Sequence, residues 1–423
     1  MNLTPAGATT LNEALTQAWS SNPGLQAQRA RLGVATENVK AAKGGYYPQV
    51  QLVGGIGTTH QDVTSSFFPV STIVLNSRSV GLAVEQPLYA GGKIDASVMA
   101  ATHLLSAQQA QLHAIEERVL LDATRAYLDV QESQAVLRLE QNNVRLLQQA
   151  LDAARASFQN GEVTHTDVDQ AQARLAGAQA GVIQAQGALA SAQADYTRII
   201  GLPPDDLAPP ASLTGLPASE RDAEQLALRN YPVVAAQFAA AAAQSDVDYA
   251  EGSLKPSVTL SGQVSAAREP AFPFEKYDQR SIMLQFSMPL YQGGALRSQV
   301  RAARHQADSR EQDALDAQRT ARDHAVRAWQ AYQTAKSGLA AIDVQIVAAQ
   351  SAYDGVQAEY REGERTTLDV LNAEQELLGA QVNHVRARHD EIAAEYALKA
   401  ATGQLTAAAL HLPVRPVATG QAQ

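Results

Sequence analysis

The sequence predicts a mainly α-helical chain with a smaller β portion, built from two copies of one structural unit. The duplication is visible in VEQPLYAGGK at 84–93 and FSMPLYQGGA at 286–295, which lie 202 positions apart. Long segments without proline carry a seven-residue apolar period, which is typical of coiled coils. Four shorter segments alternate apolar and polar residues, which is typical of β-strands.

Composition narrows the class of protein. Aromatic residues make up only 5% of the 423 residues, and alanine dominates the 45% that are hydrophobic. Alanine favours helices but is too small to fill a thick core, so we expect long, closely packed helices. The net charge of -10 offers no basic face for a nucleic acid. The absence of cysteine suits an exported protein.

No window supplies the roughly 20 apolar residues of a spanning helix, and no secretory signal is recognisable. Either the chain is soluble, or it contacts lipid through a structure other than a membrane-spanning helix.

The proline-free segments run from Pro87 to Pro203 and from Pro289 to Pro413. In the first, an apolar stripe shifts once by four residues, which indicates a stutter in the supercoil. A helix from Lys93 to Phe158 would be on the order of 100 Å long, which favours an extended assembly. The first stripe consists of Val98, Leu105, Leu112, Val119 and Ala126, then Val130, Leu137, Val144, Leu151 and Phe158, and the second runs from Val300 to Val356.

Breaks in the helices are predicted from glycine and proline. Each long helix should end at a glycine, Gly161 or Gly363, before a return helix begins. The shorter helices at 11–43 and 222–251 contain Asn22-Pro23 and Tyr231-Pro232, where we expect kinks or restarts.

The alternating segments place apolar residues on one face of each predicted strand. About 10 residues suffice for a tilted strand to cross a bilayer. The segments 62–76 and 269–278 should join the strands outside the cell, where Phe67, Phe68, Phe272 and Phe274 either sit at the lipid interface or pack the loops. A soluble sandwich with one wet face remains open from alternation alone. The apolar residues are Val50, Leu52, Ile56, Val80, Leu82, Val84, Val258, Leu260, Val264, Ile282, Leu284, Phe286 and Met288.

An open sheet in lipid would leave unpaired backbone groups at its edges, so a membrane interpretation requires several chains to close one β-barrel. Three copies would supply twelve strands.

The predicted boundaries divide the chain into four parts. The first repeat covers 1–200, a proline-rich linker 201–220, the second repeat 221–403 and a tail 404–423. The first repeat comprises a helix, strands 47–60 and 77–89, a long helix 93–159 and a return helix 164–200. The second comprises a helix, strands 256–268 and 278–291, a long helix 295–361 and a return helix 366–402.

The duplicated corners PLYAGG and PLYQGG, the turns NGEVTHTDV and EGERTTLDVLNAEQEL, and their order along the chain resemble the TolC-like outer-membrane factors of efflux pumps and type I secretion systems. The resemblance extends from LNEALTQAWSSNP to YALKAATGQL. It implies a homotrimer in the bacterial outer membrane, with a twelve-stranded barrel that continues as a helical tunnel through the periplasm.

The resemblance also implies a site at the periplasmic end of the tunnel. Asp369 matches the first position of an acidic constriction, and Asn372 replaces the second acid, so three copies would form a ring of three carboxylates. The alternative is that Asp369 caps its helix. Tyr360 and Arg365 match a latch that closes the inner coil by contacts to the first repeat's turn, where Thr166 and Asp167 match the partners. An ordinary surface ion pair is the alternative.

Two further sets of residues follow from the same comparison. Gly161 and Gly363 mark the helix tips that would face a periplasmic adaptor protein. The strand-to-helix corners contain glycines because a chain can turn there without side-chain collision. The corner residues are Pro87, Gly91, Gly92, Pro289, Gly293 and Gly294.

No enzyme motif, cofactor site or metal site is recognisable. His384 and His389 are five residues apart and so do not share a helix face. The predicted function is a passive outer-membrane exit channel, opened by an adaptor and served by an inner-membrane transporter. The alternative is a soluble periplasmic coiled-coil structural or adaptor protein.

Overall fold

The computed structural model describes residues 8–65, 68–211, 213–271 and 274–414. The order of helices and strands in the first half recurs in the second. The elements are α1 (Leu11–Ser21), α2 (Pro23–Lys43), a 3-10 turn (Gly44–Tyr46), β1 (Gln49–Ser65), β2 (Phe68–Tyr89), α3 (Lys93–Gln159), α4 (His165–Ile200), α5 (Glu220–Ala227), α6 (Tyr231–Gly252), β3 (Ser257–Ala271), β4 (Phe274–Ser287), α7 (Ala295–Arg361) and α8 (Thr367–Ala401).

The two long helices, α3 and α7, each contain 67 residues. Their ends match the sequence-based boundaries, and the breaks fall at the predicted prolines. Asn22 separates α1 from α2, and its side chain accepts hydrogen bonds from Gly24 N and Leu25 N. A short turn between α5 and α6 precedes Tyr231-Pro232 in the same way.

The heptad stripes form the buried side of the long helices. Leu105, Leu112, Val119 and Ala126 of α3 are all buried, and so are Val300 and Ala314 of α7. Alanine is common at these contacts, as in the cluster that joins α5, α6, α7 and α8. Small side chains let helix backbones approach closely, which explains the composition. The buried members of this cluster are Ala223, Ala227, Val233, Ala321, Ala325 and Leu398.

The four strands form one antiparallel sheet in the order β1-β2-β3-β4, with β1 and β4 at its edges. The first three strands contain 17, 22 and 15 residues and are longer than the predicted segments 47–60, 77–89 and 256–268, whereas β4 has the length of the predicted segment 278–291, 14 residues, but begins and ends earlier in the chain. The segments 62–76 and 269–278, expected to be loops, largely extend the two hairpins, because backbone pairing continues almost to their tips. Phe67 and Phe272 lie outside the described residues, whereas the Phe274 ring is exposed and contacts Tyr277.

One face of this sheet is apolar across all four strands. The register sets Val50 beside Val84, and Leu52 beside Leu82, which in turn pairs with Val264. Except for the partly buried Val84, these side chains are exposed in the single chain: Leu52 is 75% exposed and Val264 54%. An apolar sheet face of this kind must be covered by another apolar phase or surface.

The chain divides into two compact units that do not coincide with the sequence repeats. One unit contains 1–30, 110–234 and 316–423, and the other contains 31–109 and 235–315, so both halves contribute to each. Among the described residues, no helix has the length and apolar character of a membrane span.

The proline-rich linker is held against α3. Thr9 N donates to Asp206 O, and Ala208 N donates to Thr9 O, which joins the start of the chain to the linker. The buried Tyr127 hydroxyl contacts both Thr9 O at 2.8 Å and Ala208 O at 2.5 Å. The linker is therefore a packed part of its unit.

Candidate functional site

Both helical hairpins end in the same turn. Gly161 and Gly363 have positive φ angles of 78° and 81°. At the first tip, Gly161 N donates to Phe158 O and Glu162 N donates to Ser157 O. Gly363 and Glu364 make the equivalent bonds at the second tip. This pattern is a Schellman C-cap, in which the left-handed residue is usually glycine.

The return helices begin with matching acidic caps. The Asp369 carboxylate accepts from Thr366 N at 2.9 Å and from Thr366 Oγ1 at 2.8 Å. Asp167 makes the corresponding contacts with Thr164, both at 2.8 Å. The hydrogen bonds from the threonine backbone and side chain lower the pKa of both carboxyls, so each is ionised at neutral pH. The capping role weighed for Asp369 is therefore present, and it leaves the residue negatively charged.

An aromatic ring lies across each turn. The exposed Tyr360 hydroxyl accepts a 3.5 Å hydrogen bond from Thr367 Oγ1. At the equivalent positions of the first tip, the Phe158 ring contacts the His165 ring edge-on, with centroids 5.5 Å apart. His165 also contacts Asp169 at 2.9 Å. The two tips therefore have the same backbone conformation, but their side chains differ in charge and polarity.

Within the single chain, Arg365 pairs with Glu359. The Arg365 Nε to Glu359 Oε2 distance is 2.7 Å, and the Glu359 carboxylate raises the pKa of Arg365. Thr166 is exposed on the other tip. Among these described residues, no hydrogen bond or ion pair joins Tyr360 or Arg365 to Thr166 or Asp167. The structure of one chain thus does not bring the predicted latch together.

Asn372 connects the two return helices. Its Oδ1 accepts a 2.9 Å hydrogen bond from Arg174 Nη2 of α4. Arg174 was not identified from the sequence, because nothing in its local pattern signals a partner about two hundred residues away. The contact occupies the Asn372 side chain, whereas the hydrogen bonds of Asp369 within the described part of the chain all go to Thr366 at the start of its own helix.

Glu374 is a further residue that sequence reasoning missed. It is buried, and its Oε1 atom has no hydrogen-bond partner among the described residues. Burial raises the pKa of this carboxyl. The available signal was spacing, since Glu374 lies between Leu371 and Leu378 at core positions of α8. In the first repeat the equivalent residue, Gln172, receives a hydrogen bond from Arg155.

The strand-to-helix corners differ in their surroundings. At the first, Gly91 and Gly92 have φ angles of 69° and 86°, and a Cβ on Gly91 would lie 2.4 Å from Gly252 O. At the second, Gly293 and Gly294 have φ angles of 59° and 84°, with open space around both. Pro87 lies within β2 opposite Thr259, and Pro289 follows the end of β4.

The histidines that were considered as metal ligands each lie beside an aspartate carboxylate. His384 Nε2 lies 3.2 Å from Asp343, and His389 Nε2 lies 2.8 Å from Asp129. In the part of the chain that the structure describes, no group of three or more His, Asp or Glu side chains is arranged to hold a metal ion.

Comparison with known proteins connects this architecture to a family. The profile of the outer membrane efflux protein family matches residues 14–202 and 223–404. The outer membrane efflux protein BepC of Brucella suis biovar 1 (strain 1330) is 33% identical over 407 residues, which cover 96% of this chain and 88% of BepC. Outer membrane protein TolC of Vibrio cholerae serotype O1 is 27% identical over 413 residues, covering 94% and 92% of the two chains.

A solved structure shows the same fold. The CmeC outer membrane channel of Campylobacter jejuni superimposes with a TM-score of 0.84, covering 94% of this chain and 86% of CmeC at 15% identity. The predicted resemblance to TolC-like proteins is confirmed, and the soluble coiled-coil alternative receives no support. The chain belongs to the outer membrane efflux protein family, whose members are outer-membrane channels and not enzymes, and it is an outer-membrane protein.

Proposed function

We propose that three copies of this chain form a passive exit channel for a tripartite efflux pump or a type I secretion system. The channel crosses the outer membrane as a twelve-stranded barrel and the periplasm as a helical tunnel. The observation that carries the proposal is the exposed apolar face of the sheet, whose outer edges β1 and β4 have no strand partner within the described chain. Lipid covers that face, and pairing between copies closes the edges.

The repeat symmetry supplies a register for that pairing. Leu82 on β2 pairs with Val264 on β3. The repeat equivalent of Leu82 is Leu284 on β4. Before the hairpins, PQVQLVGGI at 48–56 aligns with PSVTLSGQV at 256–264, so the equivalent of Val264 is Ile56 on β1. Leu284 and Ile56 are 67% and 79% exposed. Pairing β4 with β1 of the next copy in the same register places Leu284 opposite Ile56. The within-chain hairpins obey this symmetry, since Val50 and Val84 pair as do their equivalents Val258 and Phe286.

The corners support the same assembly. Within one chain, the Gly91 corner packs against the end of α6 at Gly252. The repeat equivalents of these two residues are Gly293 and Gly44, and a methyl group added at either would have no atom within 4 Å. We propose that the Gly293 corner of one copy packs against the Gly44 turn of the next.

We expect cysteines at Ile56 and Leu284 to cross-link neighbouring copies. The chain has no natural cysteine, so the double variant should give disulfide-linked dimers and trimers after oxidation in detergent. A matched control pairs Ile56 with Gln285, which faces the other side of the sheet and should not cross-link. The same protein should insert into planar lipid bilayers and give discrete conductance steps. A detergent-soluble monomer without cross-links or conductance would contradict the proposal.

We further propose that Asp369 forms a ring of three carboxylates at the periplasmic end, with Asn372 held aside by Arg174. Three like charges around a narrow axis attract cations. In the single chain, hydrogen bonds from Thr366 lower the pKa of Asp369, which favours the charged form and opposes the mutual repulsion of three carboxylates.

Replacement of Asp369 by alanine should weaken the block of bilayer currents by multivalent cations added on the periplasmic side. We expect at least about a tenfold rise in the blocking concentration, because most of the local negative potential is removed. Asp152→Ala is the control, since it removes an exposed carboxylate that belongs to neither the ring nor the latch. Equal block in wild type and Asp369→Ala would remove the ring from the proposal.

The latch is proposed between neighbouring coils, with Tyr360 and Arg365 of the second tip facing Thr166 and Asp167 of the first. The present Arg365–Glu359 pair supports this role because both side chains are close to half exposed, at 48% and 44%. Exposed pairs of this kind contribute little to stability, so Arg365 can exchange partners at little cost. An adaptor that binds the tips at Gly161 and Gly363 would shift this equilibrium toward the open state.

The partners follow from this arrangement. We infer a periplasmic adaptor at the helix tips, an inner-membrane transporter that acts through it, and outer-membrane lipid around the strands. No cofactor or nucleic acid is required, because passage through an open channel involves no chemical step.

A further inference from the structure

The segment that follows α8 is attached to α3 by two adjacent buried glutamates. Glu116 Oε1 accepts from Ala407 N at 3.1 Å, and Glu117 Oε1 accepts from Leu405 N at 3.2 Å. Glu116 is 9% exposed and Glu117 5%. Residue 404 is the last that matches the family profile, so the attached segment lies beyond the matched region.

Buried apolar side chains and the two carboxyl groups hold this segment against α3. Leu405 and Ala407 are buried, as are Leu410 and Leu412 further along. The two glutamates take the backbone donors of alternate residues, which fixes the position of the segment along α3. These two N–H groups lie outside the helices and strands, and leaving buried donors unpaired is unfavourable.

The charges around the pair are unbalanced. The titratable groups that face it are Arg29 from α2, His113 from α3 itself and Tyr231 from α6. Arg29 carries a permanent positive charge, and its guanidinium lies 4.1 Å from the centre of the Trp19 ring. His113 Nδ1 lies 3.3 Å from Glu116 Oε2, and its ring stacks on Tyr231. The partners are therefore concentrated on Glu116.

The two carboxyls respond differently to this environment. Burial opposes the charge of Glu116, but hydrogen bonds from His113 and from Ala407 N hold its pKa below the usual value. Burial raises the pKa of Glu117 to about 8, with the neighbouring Glu116 charge acting in the same direction and the backbone bond from Leu405 N opposing it. Two adjacent buried carboxylates with one fixed cation repel each other.

We propose that Glu116 and Glu117 form a proton-dependent clamp for residues 404–412, in which Glu116 is the charged member and Glu117 the protonated member. A protonated Glu117 still offers an oxygen to Leu405 N. When it loses the proton, a second charge is buried beside Glu116, and the segment loosens or admits water. The clamp therefore responds to the pH of the compartment around it.

The direction of the response follows from the raised pKa of Glu117. In the clamped state its pKa is about 8, against 4.5 for a free side chain. At a pH between these two values, Glu117 therefore holds a proton in the clamped state but not in the released state. Clamping is strongest below the free value and weakens as pH rises toward the clamped value, with a limit of about tenfold per pH unit in the opening equilibrium.

Hydrogen–deuterium exchange of the full-length protein in detergent tests this proposal. Protection factors, corrected for the pH dependence of free-amide exchange, are measured for a peptide spanning 404–410. We expect them to fall at least about tenfold between about pH 5.5 and pH 8. Glu117→Gln keeps the acceptor oxygen without the titration, so its protection should stay constant over this range.

A matched control is Asp152→Asn, an exposed acid on the same helix, which should retain the wild-type pH dependence. Protection of the peptide spanning 171–178 in α4, which contains the buried Leu175, serves as the internal reference for global opening. Wild-type protection that does not change with pH would overturn the proposal. An unchanged slope in Glu117→Gln would also overturn it, because another group would then be responsible.

Discussion

Gly91→Ala should destabilise the protein by at least about 4 kcal/mol, because losses of this size arise where a substitution causes steric overlap or backbone strain. A methyl group there would lie 2.4 Å from Gly252 O and 3.1 Å from Lys255 Cβ. The backbone oxygen belongs to the end of α6 and cannot rotate away. The φ angle of 69° adds the penalty of a left-handed conformation, about 1–2 kcal/mol for a residue with a Cβ. Urea titration in detergent measures the loss.

Gly92→Ala separates the two contributions. Gly92 has a φ angle of 86° but no atom within 4 Å of a methyl position, so we expect only about 1–2 kcal/mol from the backbone. Gly252→Ala provides the reverse case. Its φ is not in the left-handed region, yet its Cβ would lie 2.9 Å from Gly91 O. Equal losses for Gly91→Ala and Gly92→Ala would show that the close approach is unimportant.

The free energy of unfolding should decrease between about pH 6.5 and pH 9 because His389 loses a proton in the folded protein. Its Nε2 lies 2.8 Å from Asp129, and its Nδ1 lies 3.1 Å from Asp390. Hydrogen bonding to Asp129 is the largest cause that raises its pKa to about 9, against the opposing effect of burial. Since the folded pKa exceeds the unfolded value of 6.5, the stabilisation is complete below 6.5 and is lost as pH rises through 9.

The size of this effect is on the order of 3 kcal/mol, because each unit of pKa corresponds to about 1.4 kcal/mol. The His389 side chain is 17% exposed, but those of Asp129 and Asp390 are 51% and 68% exposed, so solvent screening makes this value an upper bound. His389→Gln should remove this part of the pH dependence in urea titrations. His305→Gln is the control, because His305 is 83% exposed and 3.9 Å from Asp308. A wild-type slope that persists in His389→Gln would contradict the assignment.

Much of the fold could be predicted because periodic patterns are local. A seven-residue stripe such as Leu105, Leu112 and Val119 indicates a buried helix side without knowledge of what covers it. Alternation identified the strands, and Pro23 and Pro232 marked the helix breaks. The strand lengths could not be predicted, because backbone pairing in a hairpin extends through polar residues whose pattern resembles that of a loop.

The candidate site was only partly accessible from the sequence. The turns at Gly161 and Gly363 and the cap weighed for Asp369 depend on neighbouring residues, so short motifs sufficed to locate them. The matching cap at Asp167 was not predicted. The Arg365–Glu359 pair joins two sides of one turn, and the choice among several nearby acids depends on side-chain geometry.

The two repeats, the helical and strand segments, and the family could all be inferred from the amino-acid sequence. These features arise from residue spacing and from motifs that survive without knowledge of contacts. The folded structure was needed to show that Arg174 contacts Asn372, that Gly91 packs against Gly252, and that Glu116 and Glu117 accept hydrogen bonds from Ala407 N and Leu405 N, respectively. Each of these contacts joins residues far apart in the chain, and burial, which sets both the clash at Gly91 and the pKa of Glu117, exists only after the chain has folded.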